Sequence, residues 1–156
     1  MKLLFVCTGN TCRSPMAAAI ARHLAAERGL PYVAAASAGV GAAVGAPASD
    51  GALLVALEHG VDLGDHRARQ LTRELVDEAD LVLAMGQSHL ERILQLGGEG
   101  KAHLLTDFAA GRPGGRHIGD PFGADLAEYR RTYAELETEV SRVLDRLAAD
   151  PGARPR

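Results

Sequence analysis

The sequence predicts an α/β protein, a three-layer α/β/α arrangement built on a four-stranded parallel sheet. Three observations predict it. Residues 2–6, 32–37, 81–85 and 102–105 have strand length and apolar content. Helix-forming stretches separate them, so consecutive strands are joined by crossovers and run parallel. The first apolar run also passes through a tight loop directly into a helix. In such sheets ligands bind beyond the carboxyl ends of the strands, where the strand order reverses.

In chain order, Lys2-Leu3-Leu4-Phe5-Val6 suits a strand buried on both faces. After the loop, Met16, Ile20 and Leu24 recur every fourth residue in an alanine-rich helix and share a face. Ser14 reads as its N-cap and Pro15 as its first residue, where a missing N–H costs nothing. Gly29 and Pro31 stop it. Residues 32–37 make a second strand, weakened by alanines. Residues 40–47, rich in Gly and Ala, form a loop that either borders the ligand crevice or simply connects. Ser49 and Asp50 cap a helix to about residue 59, with Leu53, Leu54 and Leu57 expected inside and Gly60 ending it. Residues 61–70 are irregular, and Thr72 caps a short helix through residue 78.

Residues 81–85, Leu-Val-Leu-Ala-Met, are the clearest interior strand. Gly86 breaks it, and residues 88–96 form a helix. After a glycine-rich turn and the strand at 102–105, residues 107–123 read as one long loop. Leu126, Tyr129, Tyr133, Leu136, Val140, Val143 and Leu147 alternate spacings of three and four, which marks the longest helix. Residues 1–148 read as one domain and 149–156 as a flexible tail.

Bulk properties narrow the function. The chain has 156 residues and a formal net charge of -3, with no basic excess to suggest a nucleic-acid partner. No apolar run approaches the roughly 20 residues that span a bilayer, so no membrane association is expected. The N-terminal apolar run is too short for a secretory signal, and cytoplasmic localisation is expected by default. The two cysteines lie five residues apart, a poor disulfide framework, and a reducing compartment fits better. No Cys/His spacing suits zinc, so neither a metal nor a cofactor is expected. A monomer is the default expectation.

Chemistry concentrates in residues 7–15, Cys-Thr-Gly-Asn-Thr-Cys-Arg-Ser-Pro. A helix N-terminus offers unpaired N–H groups and partial positive charge. Gly9 and Asn10 tolerate left-handed backbone, so the loop can curl its amides inward. Arg13 supplies a planar fork matched to two phosphoryl oxygens. Cys7, at the strand's end, can aim its sulfur into the same cradle, where the positive surroundings favour the thiolate nucleophile.

Cys7, Arg13 and Ser14 fit the C-x5-R-[ST] loop of cysteine phosphatases. The longer string, its N-terminal position and Asp120-Pro121-Phe122-Gly123 resemble the low-molecular-weight protein tyrosine phosphatase family over nearly the whole chain. The resemblance implies that family's fold and a cysteinyl-phosphate mechanism. In it Cys7 is the nucleophile, Arg13 binds phosphate, and Asp120 is the general acid. The hydroxyl matching Ser14 bonds the sulfur, and Asn10 is held by partners matching Ser37 and His66. Thr8, Gly9, Asn10, Thr11, Cys12 and Ser14 would line the phosphate site, with Phe122 against the substrate. Cys12 is open to two readings: a small buried side chain, or a resolving thiol that captures oxidised Cys7.

The string is closest to the bacterial protein-arginine-phosphatase branch. Thr11 is small and polar where tyrosine-directed members usually carry a bulky aliphatic residue. A phosphorylated protein is therefore the expected partner, with phosphoarginine as first substrate and phosphotyrosine second. An arsenate reductase of the thioredoxin-coupled type needs later cysteines, which are missing after residue 12. A non-catalytic phosphate sensor would have little use for both Cys7 and Asp120.

Overall fold

The computed structural model describes residues 1–149. Four strands, β1 (Lys2–Cys7), β2 (Ala34–Gly39), β3 (Leu81–Ala84) and β4 (Ala102–Leu104), form a parallel sheet in the order β2-β1-β3-β4. The helices are α1 (Arg13–Glu27), α2 (Asp50–Glu58), α3 (Arg73–Glu78), α4 (Gln87–Gln95), α5 (Leu105–Ala110) and α6 (Leu126–Ala149). The chain leaves β1 for one neighbour, then returns past it to the other. The carboxyl end of β1 is thus the switch point, and Cys7 stands on it.

Alternation along β1 divides the core. Leu3, Phe5 and Cys7 face a cluster with Met16, Ile20, Phe108, Tyr133, Leu136 and Val140. Leu4 and Val6 face a second with Leu71, Val76, Val82, Ile93 and Leu104, under α3 and α4. α1 is buried almost all round over its first nine residues, not only on the Met16–Ile20 side. Its alanines allow close approach of β2 on one side and α6 on the other.

Several boundaries differ from expectation, each for a local reason. Ser14 is not the N-cap of α1. The helix starts at Arg13 after Cys12, with no side-chain cap, because the Ser14 hydroxyl is engaged elsewhere. Pro15 is therefore the third helical residue, still in the turn whose N–H groups lack partners. β2 begins two residues later than expected and runs to Gly39, since β1 pairs with it through Cys7↔Gly39. In α2 the inward residues are Ala52, Val55 and Ala56. Leu53 is half-buried against the core, whereas Leu54 and Leu57 are 53% and 58% exposed. A stripe of small residues lets α2 approach α6. Residues 105–110, read as strand end and loop, form α5, which buries Leu105 and Phe108 and ends at Gly111 in a left-handed conformation. Six residues are too few for a periodic signal. α6 runs to Ala149, one residue into the expected tail; the rest of that stretch lies outside the described residues.

The outer edge of β2 is partly closed. Arg22 donates to the Ala35 carbonyl (3.0 Å) and Arg69 Nε to that of Ser37 (2.9 Å). Beyond them the segment at Arg69–Leu71 bonds both backbone groups of Gly39.

Gly51 shows how tightly α2 seats. A Cβ there would lie 2.5 Å from the Tyr129 ring. Glycine in a helix normally costs about 1 kcal/mol relative to alanine. Here the clash outweighs that gain, so Gly51→Ala is expected to destabilise by about 1–3 kcal/mol, read as a lower urea midpoint. A midpoint at or above the wild-type value would refute the packing account.

Candidate active site

The loop from Cys7 to Arg13 is shaped by one residue. Asn10 has φ 57°, the only positive φ of a non-glycine among the described residues. Gly9, expected to share this freedom, does not need it: its φ is not positive, and a Cβ there would meet only Thr11 Oγ1 at 3.6 Å. Asn10 is fully buried and its amide group is saturated. Nδ2 donates to Ser14 Oγ (2.9 Å) and Ser37 Oγ (2.8 Å), and Oδ1 accepts from Arg69 N (2.9 Å). Its carbonyl accepts from His66 Nε2 at 2.7 Å, which makes that nitrogen the N–H of the ring. Burial is the main cause pulling the His66 pKa below its ordinary value, with the Asn10 bond opposing.

Ser14 turns this network toward the sulfur. Its oxygen accepts from Asn10, which leaves the hydroxyl hydrogen to donate; Cys7 Sγ lies 2.9 Å away. Gly39 sits directly beneath. A Cβ there would come within 2.4 Å of Thr8 O and 2.9 Å of Asn10 N, so β2 must end in glycine for the loop to lie where it does.

The N–H groups of residues 8–12 have no protein acceptor among the described residues. A run of free amides opening onto a helix N-terminus is an anion-binding concavity. Arg13, 7% exposed, lines the same cleft. One of its terminal nitrogens donates to the Ile118 carbonyl (3.0 Å), the other stands 3.6 Å from Asp120 Oδ2, and its buried Nε has no partner. The cleft, about 340 Å³, is lined by Cys7, Thr8, Gly9, Thr11, Cys12 and Arg13 on the loop side, Gly41 and Ala43 at one wall, and Asp120 and Phe122 at the other. Phe122 is 70% exposed, with its ring available to a ligand. The 40–47 loop thus borders the crevice.

Asp120 is carried by a long segment that is tied down at several points. Thr106 donates to the Arg116 carbonyl, and Asp107 accepts from the amides of Gly114 and Gly115. Arg116 pairs with Glu135 and with the buried Glu139 of α6. Ile118, 1% exposed, plugs into the core and donates its N–H to Met85 O at the end of β3. Asp120 Oδ1 accepts from Phe122 N, closing the turn that presents both side chains.

Residues expected in the site are thus gathered in one place: Cys7, Thr8, Gly9, Thr11, Cys12, Arg13, Asp120 and Phe122 line the cleft. The side chains of Asn10 and Ser14, expected to line it, are instead fully buried and lie behind the loop with Ser37 and His66, because these residues hold one another. Cys12 is buried, with Ser49 Oγ at 3.2 Å and the Tyr129 hydroxyl at 3.4 Å. The sequence marks Ser49 only as a cap and Tyr129 only as a core position. Burial, aided by the Cys12 contact, raises the Tyr129 pKa. Arg69, Ile118 and His89 were missed. Ile118 carried a usable signal, a single aliphatic residue in a glycine- and proline-rich stretch. His89 carried only its position three residues past a strand-ending glycine. Its Nε2 lies 2.8 Å from Thr8 Oγ1. Burial first, then the charges of Arg13 and His117, pull its pKa down to about 4 against the opposing pull of Asp120, so the ring is neutral near pH 7.

Comparison with known proteins agrees with this geometry. Residues 2–152 match the family described as low molecular weight phosphotyrosine protein phosphatase. A protein-arginine-phosphatase of Geobacillus stearothermophilus is 42% identical over 151 residues, covering 96% of this chain and 97% of that protein. The tyrosine phosphatase Wzb of Salmonella typhimurium is 34% identical over 97% of each chain. Among solved structures, a YwlE arginine phosphatase mutant with a phosphorylated active-site serine superimposes with a TM-score of 0.91 at 37% identity, covering 99% of this chain and 100% of that one. With its cysteine loop at the switch point of a sheet ordered β2-β1-β3-β4 and a match from residue 2 to residue 152, this chain belongs to the low-molecular-weight phosphotyrosine protein phosphatase family.

Proposed function

We propose that the protein hydrolyses phosphoarginine in proteins through a cysteinyl-phosphate intermediate, with Cys7, Arg13 and Asp120 as its catalytic groups. As a member of this family it is a cysteine-dependent phosphoprotein phosphatase; the substrate and the residue roles are the proposal. One observation carries it: five successive free amides and the unpartnered Nε of a buried arginine surround a sulfur at a switch point. A buried arginine Nε without an acceptor is costly, and a phosphoryl anion would satisfy it together with the free loop amides.

In the first step the Cys7 thiolate attacks phosphorus, forming an S–P bond as the P–N bond of phosphoarginine breaks. The electron pair passes to the guanidino nitrogen, which takes a proton from Asp120. The loop amides and Arg13 hold the equatorial oxygens, and the Ser14 hydroxyl stabilises the sulfur as thiolate. In the second step the Asp120 carboxylate removes a proton from water, which attacks phosphorus. The S–P bond breaks, releasing inorganic phosphate and the thiolate. Asp120 suits both steps: it is half-exposed beside Arg13 and within reach of solvent.

Two features support arginine as the substrate. Thr11 gives the cleft a small polar wall, and the Geobacillus stearothermophilus and Bacillus subtilis relatives are named protein-arginine-phosphatases. Phosphotyrosine is the second reading. The exposed Phe122 ring, which can stack on a phenol as readily as on a guanidinium, is compatible with it, and the Salmonella typhimurium relative is named a protein-tyrosine-phosphatase.

Hydrolysis of p-nitrophenyl phosphate by Cys7→Ser is expected to fall at least about 10⁴-fold, and by Asp120→Asn about 10²–10⁴-fold. Cys7→Ser retaining full turnover would end the mechanism. On matched peptides the wild type is expected to favour phosphoarginine in kcat/KM, and Thr11→Ile to shift that preference about tenfold toward phosphotyrosine. A wild type without preference, unaltered by the substitution, would refute the arginine assignment.

A further inference from the structure

His89 occupies a place that phosphate chemistry by itself does not explain. It lies on α4, whereas the nucleophile, the arginine and the acid come from β1, α1 and the loop before α6. Its ring is 4% exposed, and Nε2 meets Thr8 Oγ1 in the phosphate loop. The other ring nitrogen, Nδ1, is buried without a partner. It faces the backbone at Gly86, where an added Cβ would lie 3.6 Å from it and 3.5 Å from His117 Nδ1. A buried polar atom left unpaired beside a functional loop calls for a reason.

We propose that His89 is a positioning residue of the phosphate loop: its Nε2 locks Thr8 in place, and seating a phosphoryl anion in the loop draws a proton from solvent onto the ring. The inference rests on that loop being the phosphoryl seat. The lock survives protonation whichever partner donates in the neutral state, because an imidazolium donates from Nε2 and a threonine oxygen accepts. The charged and titratable groups bearing on the ring are Arg13 of α1 and His117 and Asp120 of the acid-bearing loop. Burial is the main cause opposing a positive ring, followed by Arg13 and His117, and Asp120 favours it. A phosphoryl anion seated against Arg13 has the sign of Asp120 and offsets the Arg13 charge; the burial cost remains, so the ring's pKa rises only part of the way back to its ordinary value. By reciprocity the proton then strengthens anion binding. The ring of the unliganded protein stays neutral down to about pH 4, so the linkage acts between neutrality and that value and grows as pH falls.

Calorimetric titration of inorganic phosphate into the full-length protein tests this, at pH 7.5 and pH 5.5 and in two buffers of different ionisation enthalpy at each. At the higher pH, His89→Leu is expected to bind phosphate about tenfold more weakly. His89→Gln, whose amide nitrogen can stand where Nε2 does, is expected to recover binding to within about threefold. At the lower pH the wild type is expected to gain about a further threefold over His89→Gln and to take up more protons on binding. Should His89→Leu fail to fold by circular dichroism, the comparison with His89→Gln decides alone. Phosphate binding by a folded His89→Leu at wild-type strength, or a ratio between wild type and His89→Gln that does not change with pH, would overturn the proposal. If p-nitrophenyl phosphate turnover still depends on Cys7 in that event, only this inference falls; a wild type that binds no phosphate would remove the phosphatase reading with it.

Discussion

One left-handed residue organises the site. At φ 57° the Asn10 backbone adopts a conformation that disfavours side chains other than Asn and Asp. Four hydrogen bonds offset that strain: two from its amide nitrogen, one to its amide oxygen and one to its carbonyl. Their partners come from α1, β2 and the segment at 66–69. The bend that sets the loop amides around the cleft is therefore held by three separate parts of the chain. The Ser14 bond makes the same network the setting of the Cys7 sulfur, so loop shape and the sulfur's environment are not independent variables.

A second constraint ties Asp120 to Arg13. Ile118 is fixed through its N–H to the end of β3 and through its side chain to the core, and its carbonyl receives Arg13. Two residues later the chain presents Asp120. The Arg13 guanidinium and the Asp120 carboxylate are thus aimed into the cleft from one anchored point. The anchoring of Arg116 to Glu135 and Glu139 carries that fixity back to α6. Tethers of this kind let an irregular segment perform a task that needs fixed geometry.

The parts of this arrangement legible in the sequence were those encoded by contiguous residues. Strand, loop and helix followed from the string at 2–24, and the parallel sheet followed from alternation of apolar runs and helical stretches. The longest helix followed from its period. Contacts between distant segments left no such trace. Nothing local to His89 marks it as a neighbour of Thr8, 81 residues away. Leu54 and Leu57 read as core because they are large, yet the helix packs through Gly51, Ala52, Val55 and Ala56, where close approach outweighed side-chain size. Ser14 followed the rule for a cap until a stronger demand, the sulfur and Asn10, claimed its hydroxyl.

The outer flank of β2 has a consequence of its own. A sheet margin with unpaired carbonyls is a template onto which a foreign strand can add, the first step toward uncontrolled association. Here two guanidinium groups, from Arg22 and Arg69, already occupy the carbonyls of Ala35 and Ser37. An intruding chain would have to strip away both charge-assisted bonds and set positive charges adrift before it could pair. The small alanine side chains of this strand, poor at resisting aggregation through bulk, are thereby guarded by cations borrowed from elsewhere in the fold.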